Sequence, residues 1–186
     1  MKKIQIVLKC RSSEELSVDR LGADHRSALQ QFNSSLSDQT RSVFLPHDYD
    51  DKTIARYVKR ALADKDRIYV LLSKNEIVGY FFLWEFQTPV PLLGIGLADA
   101  YQGQGLGRQM MAILIEDARS AGRDGIELTT APENKRAFQL YERSGFQYLD
   151  DVANVAGDGR VVCERRMFLP LKVGASVPVR EFKPPV

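Results

Sequence analysis

The sequence predicts a single mixed α/β domain, with a mostly antiparallel sheet of seven strands and helices on both faces. Two β-rich runs, Arg67–Ser73 and residues 77–86, are separated only by a short polar turn, which is typical of an antiparallel hairpin. Farther along, strand-like and helix-like stretches alternate, which is typical of strand–helix–strand crossovers. At 186 residues and 44% apolar composition, the chain can form one hydrophobic core.

The elements before the hairpin are a strand at residues 4–8 and two helices, at 24–36 and 52–63, which have apolar residues at helical spacing. Residues 87–91 contain two prolines and form a loop. The later pattern predicts a strand, a long helix, a short strand, a short helix closed by Gly145, and a final hairpin that turns at residues 157–159. In that order these elements are 92–98, 105–121, 126–130, 134–144, 146–152 and 161–169.

The domain is predicted to span residues 1–172. Residues 173–186 contain proline, valine and serine without periodicity, so we predict a tail that is loose or packs on the surface. The pattern assigns this tail no function. No internal repeat divides the chain.

Charge and hydropathy argue against several classes of partner. The 26 basic and 24 acidic residues nearly cancel, so there is no electrostatic case for nucleic acid. No stretch approaches the ~18 apolar residues of a membrane span, and the N-terminal segment lacks the cleavage site of a signal peptide. We therefore expect a cytoplasmic monomer or homodimer, with Cys10 and Cys163 as reduced, partly buried thiols.

The most informative segment joins the strand at 92–98 to the long helix and carries Gly103, Gly105 and Gly107. A glycine-rich turn at a helix N-terminus leaves backbone N–H groups unpaired, and the helix dipole adds positive potential there. A phosphate group is the natural ligand of such a turn. Glycine is required because a Cβ would block close approach and because some positions need a positive φ.

The loop lacks residues that two common nucleotide-binding motifs require, which argues against both as the source of the phosphate. A Walker A loop needs Lys and then Ser or Thr after its last glycine, whereas Arg108 and Gln109 follow here. A dinucleotide fingerprint that begins at Gly103 or Gly105 lacks its third glycine. A protein that binds some other phosphate or nucleotide ligand nevertheless stays open as a hypothesis.

Two motifs carry a resemblance to a known family. Gln102-x-x-Gly105-x-Gly107 resembles the Q/R-x-x-G-x-G/A pyrophosphate loop of the GNAT acetyltransferase superfamily, and residues 134–146 resemble its N-x-x-A-x-x-L-Y-x-x-x-G-F motif. The motifs are in the expected order, separated by one helix and one strand. The resemblance covers nearly the whole chain except the tail. It implies a GNAT-like fold, acetyl-CoA as co-substrate, and transfer of an acetyl-type group to an amine of a small molecule or a protein.

The resemblance also implies how coenzyme A is bound. The pantetheine arm would pair as a pseudo-strand with Leu97 and Ala98, and the Leu97 N–H would polarise the thioester carbonyl. Near Leu97 and Asp99 the family usually has valine and proline, so the match is looser there. On the second motif, Asn134, Ala137 and Phe138 would face the coenzyme. The pyrophosphate would be held by the loop residues Gln102, Gly103, Gln104, Gly105, Leu106, Gly107 and Arg108.

The sequence identifies the catalytic residues less clearly than the phosphate-binding loop. By resemblance, Tyr141 would give its proton to the departing sulfur, although a core tyrosine with its hydroxyl at the rim is the alternative. Direct attack by an amine also needs a base. Glu85, expected beside a gap in the sheet, is the first candidate, followed by Glu127 and Asp99. The histidines His25 and His47 have no partner at metal-like or triad-like spacing, so we predict ordinary surface or helix-end residues and no metal.

The acceptor is not identified by the sequence. In this family the acceptor site is formed by the first two helices, their loop and the last hairpin. That loop either borders the entrance to an acceptor site or is an ordinary loop that caps the following helix. In the first case the entrance would have an apolar part, formed by Phe44, Leu45, Pro46, His47 and Tyr49. It would also have an acidic rim, formed by Asp48, Asp50 and Asp51. A non-catalytic acyl-CoA sensor on the same scaffold is the alternative function.

Overall fold

The computed structural model describes residues 6–186, which form one eight-stranded sheet flanked by helices. The strands are β1 (Ile6–Lys9), β2 (Glu15–Arg20), β3 (Arg67–Ser73), β4 (Glu76–Trp84), β5 (Leu92–Leu97), β6 (Gly125–Thr130), β7 (Gln147–Val155) and β8 (Val161–Pro170). The helices are α1 (Arg26–Ser35), α2 (Asp38–Val43), α3 (Asp51–Leu62), α4 (Leu106–Ser120) and α5 (Lys135–Arg143). Short 3₁₀ turns cover Ala23–His25 and Asp99–Tyr101.

The strand order is β1-β2-β3-β4-β5-β6-β8-β7, and every neighbouring pair is antiparallel except β5 and β6. The predicted fold class is therefore confirmed, with eight strands rather than seven. The additional strand, β2, has the sequence ELSVDR and buries only Leu16 and Val18. Polar residues make up most of this segment, so it lacks the β-rich composition that predicts a strand. The predicted first strand at 4–8 begins outside the described residues.

Helices pack on both faces of the sheet and bury two separate cores. On one face, α4 and α5 contribute Leu106, Met110, Leu114 and Tyr141 to the larger cluster. On the other face, α1 and α3 cover an aromatic cluster. Helix α3 buries Ile54, Tyr57, Val58 and Ala61, the residues that its helical spacing predicts. Helix α2 is not predicted by the sequence, because six residues are too few for a periodic signal.

A gap opens between β5 and β6 because these two strands stay paired over a very short length. Their register contains the single pair Leu92 and Glu127, whereas β5 forms six pairs with β4 on its other side. Beyond Leu92 the strands separate toward their C-terminal ends. The open end of the gap faces the segment that leads from β5 into α4.

The tail packs on the sheet at the end of the chain. Phe182 is buried, and it forms an isolated bridge with Asn154 of β7. Cys10 is buried and Cys163 is exposed, and both are free thiols. The prediction of partial burial is therefore wrong for Cys163, which faces solvent from β8. None of the helices in residues 6–186 has the length and hydropathy needed to span a bilayer.

Candidate functional site

The glycine loop ends at the start of α4. Gly105 is the N-cap of this helix and has a φ of 81°, in the left-handed region that favours glycine. The first N–H groups of α4, beginning at Leu106, have no carbonyl one turn earlier to bond to. The loop is held from behind, since the Gln104 carbonyl accepts a hydrogen bond from the Arg11 N–H at 3.1 Å. This arrangement presents backbone donors at the open end of the gap.

The hydrogen bonds of Gln102 stabilise the conformation of the glycine loop. Its N–H donates to the Asp99 carbonyl at 3.2 Å, so this group is not free for a ligand. Its side-chain Nε2 donates to the Leu97 carbonyl at 3.2 Å and to Thr40 Oγ1 at 3.1 Å. The glutamine therefore ties the end of β5 to α2.

Two arginines flank the loop. Arg108 is exposed in the first turn of α4. The guanidinium of Arg136, on α5, lies so near Gly103 that a Cβ there would be 2.7 Å from Nη2. Within residues 6–186, neither arginine forms a salt bridge. Arg136 has no distinguishing mark in the sequence, because only the packing of α5 against the loop brings it there.

The β5 edge of the gap carries backbone donors that have no partner among residues 6–186. The Ala98 N–H donates to the Val78 carbonyl of β4 at 2.9 Å, so it points away from the gap. Because alternate residues of an antiparallel strand point in opposite directions, the N–H groups of Ile95 and Leu97 face the gap. Ile95 lies nearer the point where the strands separate. Nothing in the sequence singles out Ile95, because this register is a property of the folded sheet.

Helix α5 begins at the second motif. Asn134 caps it, with Oδ1 accepting a hydrogen bond from the Ala137 N–H at 3.1 Å. Phe138 is half-buried and stacks under the guanidinium of Arg165, whose carbon lies 5.0 Å from the ring centre. The side of α5 that carries Asn134, Ala137, Phe138 and Tyr141 is thus turned toward the protein.

Tyr141 is buried in the same cluster that contains Leu93 of β5 and Leu128 of β6. Burial raises the pKa of its phenol, and the negative charge of Glu164 raises that pKa further. The phenol is therefore protonated at neutral pH, which is the form that can donate a proton.

The geometry corrects the predicted position of Glu85. Strand β4 ends at Trp84, which pairs with Leu92, so Glu85 lies beyond the closed end of the gap. The expectation that it lies beside the open gap is wrong. Glu85 has a φ of 54°, and its carboxylate pairs with Arg180 of the tail at 3.1 Å.

The other two candidate bases are also engaged. Glu127 is fully buried between Arg166 and Arg180; Arg166 Nε donates to it, while Arg180 Nε lies 3.1 Å away as an ion pair without hydrogen-bond alignment. Burial raises the pKa of Glu127 against the effect of both guanidinium groups. Asp99 accepts hydrogen bonds from Ser37 and Thr40, which lower its pKa to about 2.

Next to the closed end of the gap is a cavity of about 120 Å³, which we call the tail cavity. Its walls are residues 42–46, parts of β4 and β5, Thr129 of β6, the β7–β8 hairpin and residues 182–184 of the tail. The hairpin packs on the first wall, since Gly157 donates to the Leu45 carbonyl at 2.8 Å. A Cβ at Gly157 would lie 2.4 Å from the His47 backbone, so only glycine permits this contact.

The predicted acceptor loop is divided by the structure. Phe44, Leu45 and Pro46 line the tail cavity, while Asp50 caps α3 and Asp51 pairs with Arg26. Tyr49 is buried in the aromatic cluster.

The prediction that His47 is a surface or helix-end residue is wrong, because its side chain is fully buried. Its ring stacks on Tyr57, with 4.3 Å between the ring centres. Nδ1 lies 2.6 Å from the Asp48 carbonyl and Nε2 3.0 Å from the Tyr80 hydroxyl. Burial lowers the pKa of His47 to about 4, so the ring is neutral and donates from Nδ1 while accepting at Nε2.

Comparison with known proteins agrees with the two motifs. Residues 29–146 match the family described as Acetyltransferase (GNAT) family, a range that includes the gap, the glycine loop and Tyr141 but ends before Glu164 and the tail. A Bacillus subtilis (strain 168) protein described as uncharacterized N-acetyltransferase YycN is 34% identical over 87 residues, which are 44% of this chain and 54% of that protein. The chain thus matches about half of that relative.

Solved structures share the fold. The GNAT domain of S. lividans PAT superposes with a TM-score of 0.74 at 14% identity, covering 90% of this chain and 97% of that one. Spermidine N-acetyltransferase from Vibrio cholerae, in complex with CoA and spermine, superposes with a TM-score of 0.66 at 21% identity, covering 83% and 95%.

Proposed function

We propose, since the chain belongs to the acetyltransferase (GNAT) family, that it transfers an acetyl-type group from acyl-coenzyme A to an amine. The observation that carries this proposal is the gap between β5 and β6. It has free N–H groups on one edge, a glycine loop at its open end, and the protonated phenol of Tyr141 packed against the same strands. Groups suited to bind the coenzyme and a phenol suited to donate a proton thus adjoin one cleft.

The coenzyme has suitable partners along this path. Its pyrophosphate would accept hydrogen bonds from the free N–H groups that begin α4, with Arg108 and Arg136 adding charge. Hydrogen bonds to a charged group are worth about 1.5–3 kcal/mol each, so a few suffice without a lysine. The pantetheine arm would bond to the edge of β5, and the Ile95 or Leu97 N–H would polarise the thioester carbonyl. Asn134, Ala137 and Phe138 would border the coenzyme from α5.

The reaction is direct attack of the amine on the thioester with both substrates bound. An alkylamine with a pKa of ~10.4 is neutral in about one molecule in ~10³ at pH 7, a cost of ~4–5 kcal/mol. Binding both substrates in one cleft supplies several kcal/mol toward the barrier. Tyr141 would protonate the departing thiolate. We propose that the amine enters through the tail cavity, which adjoins the point where β5 and β6 separate.

Thiol release from acetyl-CoA tests this function. We expect release that depends on added amine, measured across a panel of small primary amines and lysine or N-terminal peptides. Binding of acetyl-CoA without thiol release in the presence of any acceptor would favour the acyl-CoA sensor instead. Failure to bind acetyl-CoA would refute both. The cytoplasmic location, the lack of nucleic-acid or membrane partners, and the choice between monomer and homodimer stay predictions from composition.

A further inference from the structure

Three ionisable side chains line the tail cavity, and two of them already have an opposite charge. Arg160 pairs with Asp158 at 2.6 Å, and Lys183 pairs with Glu181 at 2.6 Å. The third, Glu164 on β8, forms no salt bridge within the described part of the chain. The tail cavity therefore contains one uncompensated negative charge.

A hydrogen bond from Asn154 nevertheless fixes the position of the Glu164 carboxylate. The Asn154 Nδ2 donates to Glu164 Oε2 at 2.7 Å and also to Thr129 Oγ1 at 3.3 Å. These bonds connect β7 and β8 to the edge of β6 across the cavity wall. The amide uses both of its hydrogens, which leaves the other carboxylate oxygen, Oε1, available to a bound molecule.

The Glu164 carboxylate lies where the acyl group of a coenzyme bound in the gap would be. Thr129 lies two residues beyond Glu127, the last residue of β6 that pairs with β5. Leu93 and Gly94, just past the last paired residue of β5, line the same cavity as Glu164. A pantetheine arm that entered from the glycine loop would therefore place its thioester between these strands and beside Glu164. The negative charge of Glu164 also raises the pKa of the Tyr141 phenol.

The competing carboxylates lack this freedom. Glu127 is enclosed by two arginines, and Glu85 pairs with Arg180 outside the open gap. Asp99 accepts at Oδ1 from the hydroxyls of Ser37 and Thr40 and at Oδ2 from the Ser37 N–H. To accept a proton, each of these would give up an ion pair or hydrogen bonds that hold the fold, whereas Glu164 would give up only part of its bond to Asn154.

We propose that Glu164 binds the ammonium form of the acceptor and takes its proton, an inference that rests on the proposed acyl transfer. The walls beside it, Phe44, Phe82, Trp84 and Phe182, are aromatic. A cationic group beside a carboxylate and aromatic faces is stabilised by both. The acceptor class that fits is a primary amine on an apolar or slender chain.

Every proton in the proposed reaction has a donor and an acceptor. The bound ammonium passes one proton to the Glu164 carboxylate, which leaves a neutral amine. The nitrogen forms its bond to the acyl carbon, the C–S bond breaks with its electron pair on sulfur, and Tyr141 gives its proton to the thiolate. The second proton that the nitrogen must lose restores Tyr141. Glu164 then releases its proton to solvent, so the net products are the amide, the free thiol and one proton.

Glu164→Gln tests the proposal, because the amide keeps the size of the side chain and removes its basicity. With an amine that the wild type acetylates, we expect kcat/KM at pH 7 to fall about 100-fold, within the usual range for a general base. The loss should narrow as the pH rises toward the pKa of the amine, since solvent then supplies the neutral form. The melting temperature and the affinity for acetyl-CoA should stay close to wild type.

Glu85→Gln is the matched control, and we expect it to keep the wild-type pH dependence. A Glu164→Gln variant with the wild-type rate and pH profile would overturn the proposal, as would loss of the profile in Glu85→Gln instead. If Glu164→Gln does not fold, Asn154→Ala applies the same test by releasing the carboxylate: a fall of about 10-fold in kcat supports the proposal and an unchanged kcat overturns it. A wild type that releases no thiol with any amine would refute the proposed function itself, which separates the two failures.

Discussion

The two sides of the gap are built in different ways. The side that we propose for the coenzyme, which we call the coenzyme side, consists of the glycine loop, the edge of β5 and the first turns of α4 and α5, and its donors are mainly backbone N–H groups. The side that we propose for the amine, which we call the acceptor side, is the tail cavity with its walls, and it is assembled from separated segments whose side chains meet only in the folded protein. One side is specified by two contiguous motifs, and the other by tertiary packing.

This difference suggests which properties the two sides can change independently. A loop that binds through its backbone tolerates many side chains but few changes of conformation. A cavity formed by side chains of distant segments changes its shape with almost any substitution. We therefore expect substitutions to separate cleanly into those that affect coenzyme affinity and those that affect the amine.

Gly105→Val should have the largest effect, on the coenzyme side alone. A branched side chain at a φ of 81° strains the loop, and it occupies open space above the helix N-terminus where the pyrophosphate would lie. We expect the affinity for acetyl-CoA to fall at least ~100-fold. Acetyl-CoA at ~100 times its wild-type dissociation constant, which should stabilise the wild type by about 2.7 kcal/mol, should then give almost no shift in melting temperature.

Gly122→Val is the matched control for this change. Gly122 follows the other end of α4, also has a positive φ, 69°, and a Cβ at this position would likewise have no atom within 4 Å. Both variants should lose similar stability, because both force a β-branched residue into the left-handed region. Only Gly105→Val should lose coenzyme binding. Equal binding by the two variants would place the coenzyme elsewhere.

The glycine loop and the starts of α4 and α5 are well predicted from the sequence, because the information that specifies them is local. The positions of Gly103, Gly105 and Gly107 before a helix, and of Asn134 at a helix start, are visible in adjacent residues. The strands from β3 onward and the helices α4 and α5 likewise follow from composition and periodicity that need no tertiary context.

The acceptor side could not be predicted in the same way. The ion pairs that engage Glu85 and Glu127 come from Arg180, 95 and 53 residues away in a tail without periodicity. His47 stands between Pro46 and Asp48 in the sequence, yet three tyrosines enclose it. Contacts of this kind depend on register and packing, which no local pattern contains.

Arg180→Ala should weaken the acceptor side by removing the anchor of the tail. The variant leaves Glu127 buried with one guanidinium instead of two and also removes a hydrogen bond to the Val90 carbonyl. We expect a loss of about 2 kcal/mol in the free energy of unfolding and a higher KM for the amine, with the affinity for acetyl-CoA unchanged. Chemical denaturation and steady-state kinetics measure these quantities.

Adding Glu127→Gln to Arg180→Ala should lower stability further rather than restore it, because the mostly buried guanidinium of Arg166 then loses the carboxylate with which it pairs. The exposed pair of Lys183 and Glu181 is the control, and Lys183→Ala should change stability by less than about 1 kcal/mol. If Arg180→Ala weakened acetyl-CoA binding as much as amine binding, the two sides would not be independent.

Acid should destabilise the packing around His47, the residue that follows the 42–46 wall of the tail cavity. Its pKa in the folded protein, about 4, is below the ordinary 6.5, so the unfolded chain binds the proton first as the pH falls. The contribution of neutral His47 to the free energy of unfolding is complete above pH 6.5 and decreases as the pH falls toward 4. Below that pH the contribution no longer changes. Between pH 7 and pH 5 we expect a loss of about 2 kcal/mol from this residue, despite the opposing charges of Asp48 and Asp50.

His47→Phe isolates this contribution from that of other titrating groups. The ring should still pack, and the Tyr80 hydroxyl should lose its acceptor at every pH, which lowers stability by a constant amount. The difference between wild type and variant should therefore shrink as the pH falls from about 7 to about 5, as followed by urea denaturation. A constant difference across this range would mean that His47 does not titrate between the folded and unfolded states.

Tyr141→Phe should have the smallest effect, and it tests the point where the two sides meet. The substitution keeps the ring and its packing against Phe146, 6.0 Å away between ring centres, and removes only the proton donor. We expect kcat to fall at least ~10-fold, which corresponds to about 1.4 kcal/mol, with acetyl-CoA affinity and melting temperature nearly unchanged. Tyr69→Phe should behave in the opposite way: its hydroxyl donates to Asp117 at 2.6 Å on the same face of the sheet, so its loss should lower stability and spare the rate. A Tyr141→Phe enzyme with full turnover and reduced stability would make Tyr141 a core residue. The departing thiolate would then leave without help from α5, and the coenzyme side would contribute binding alone.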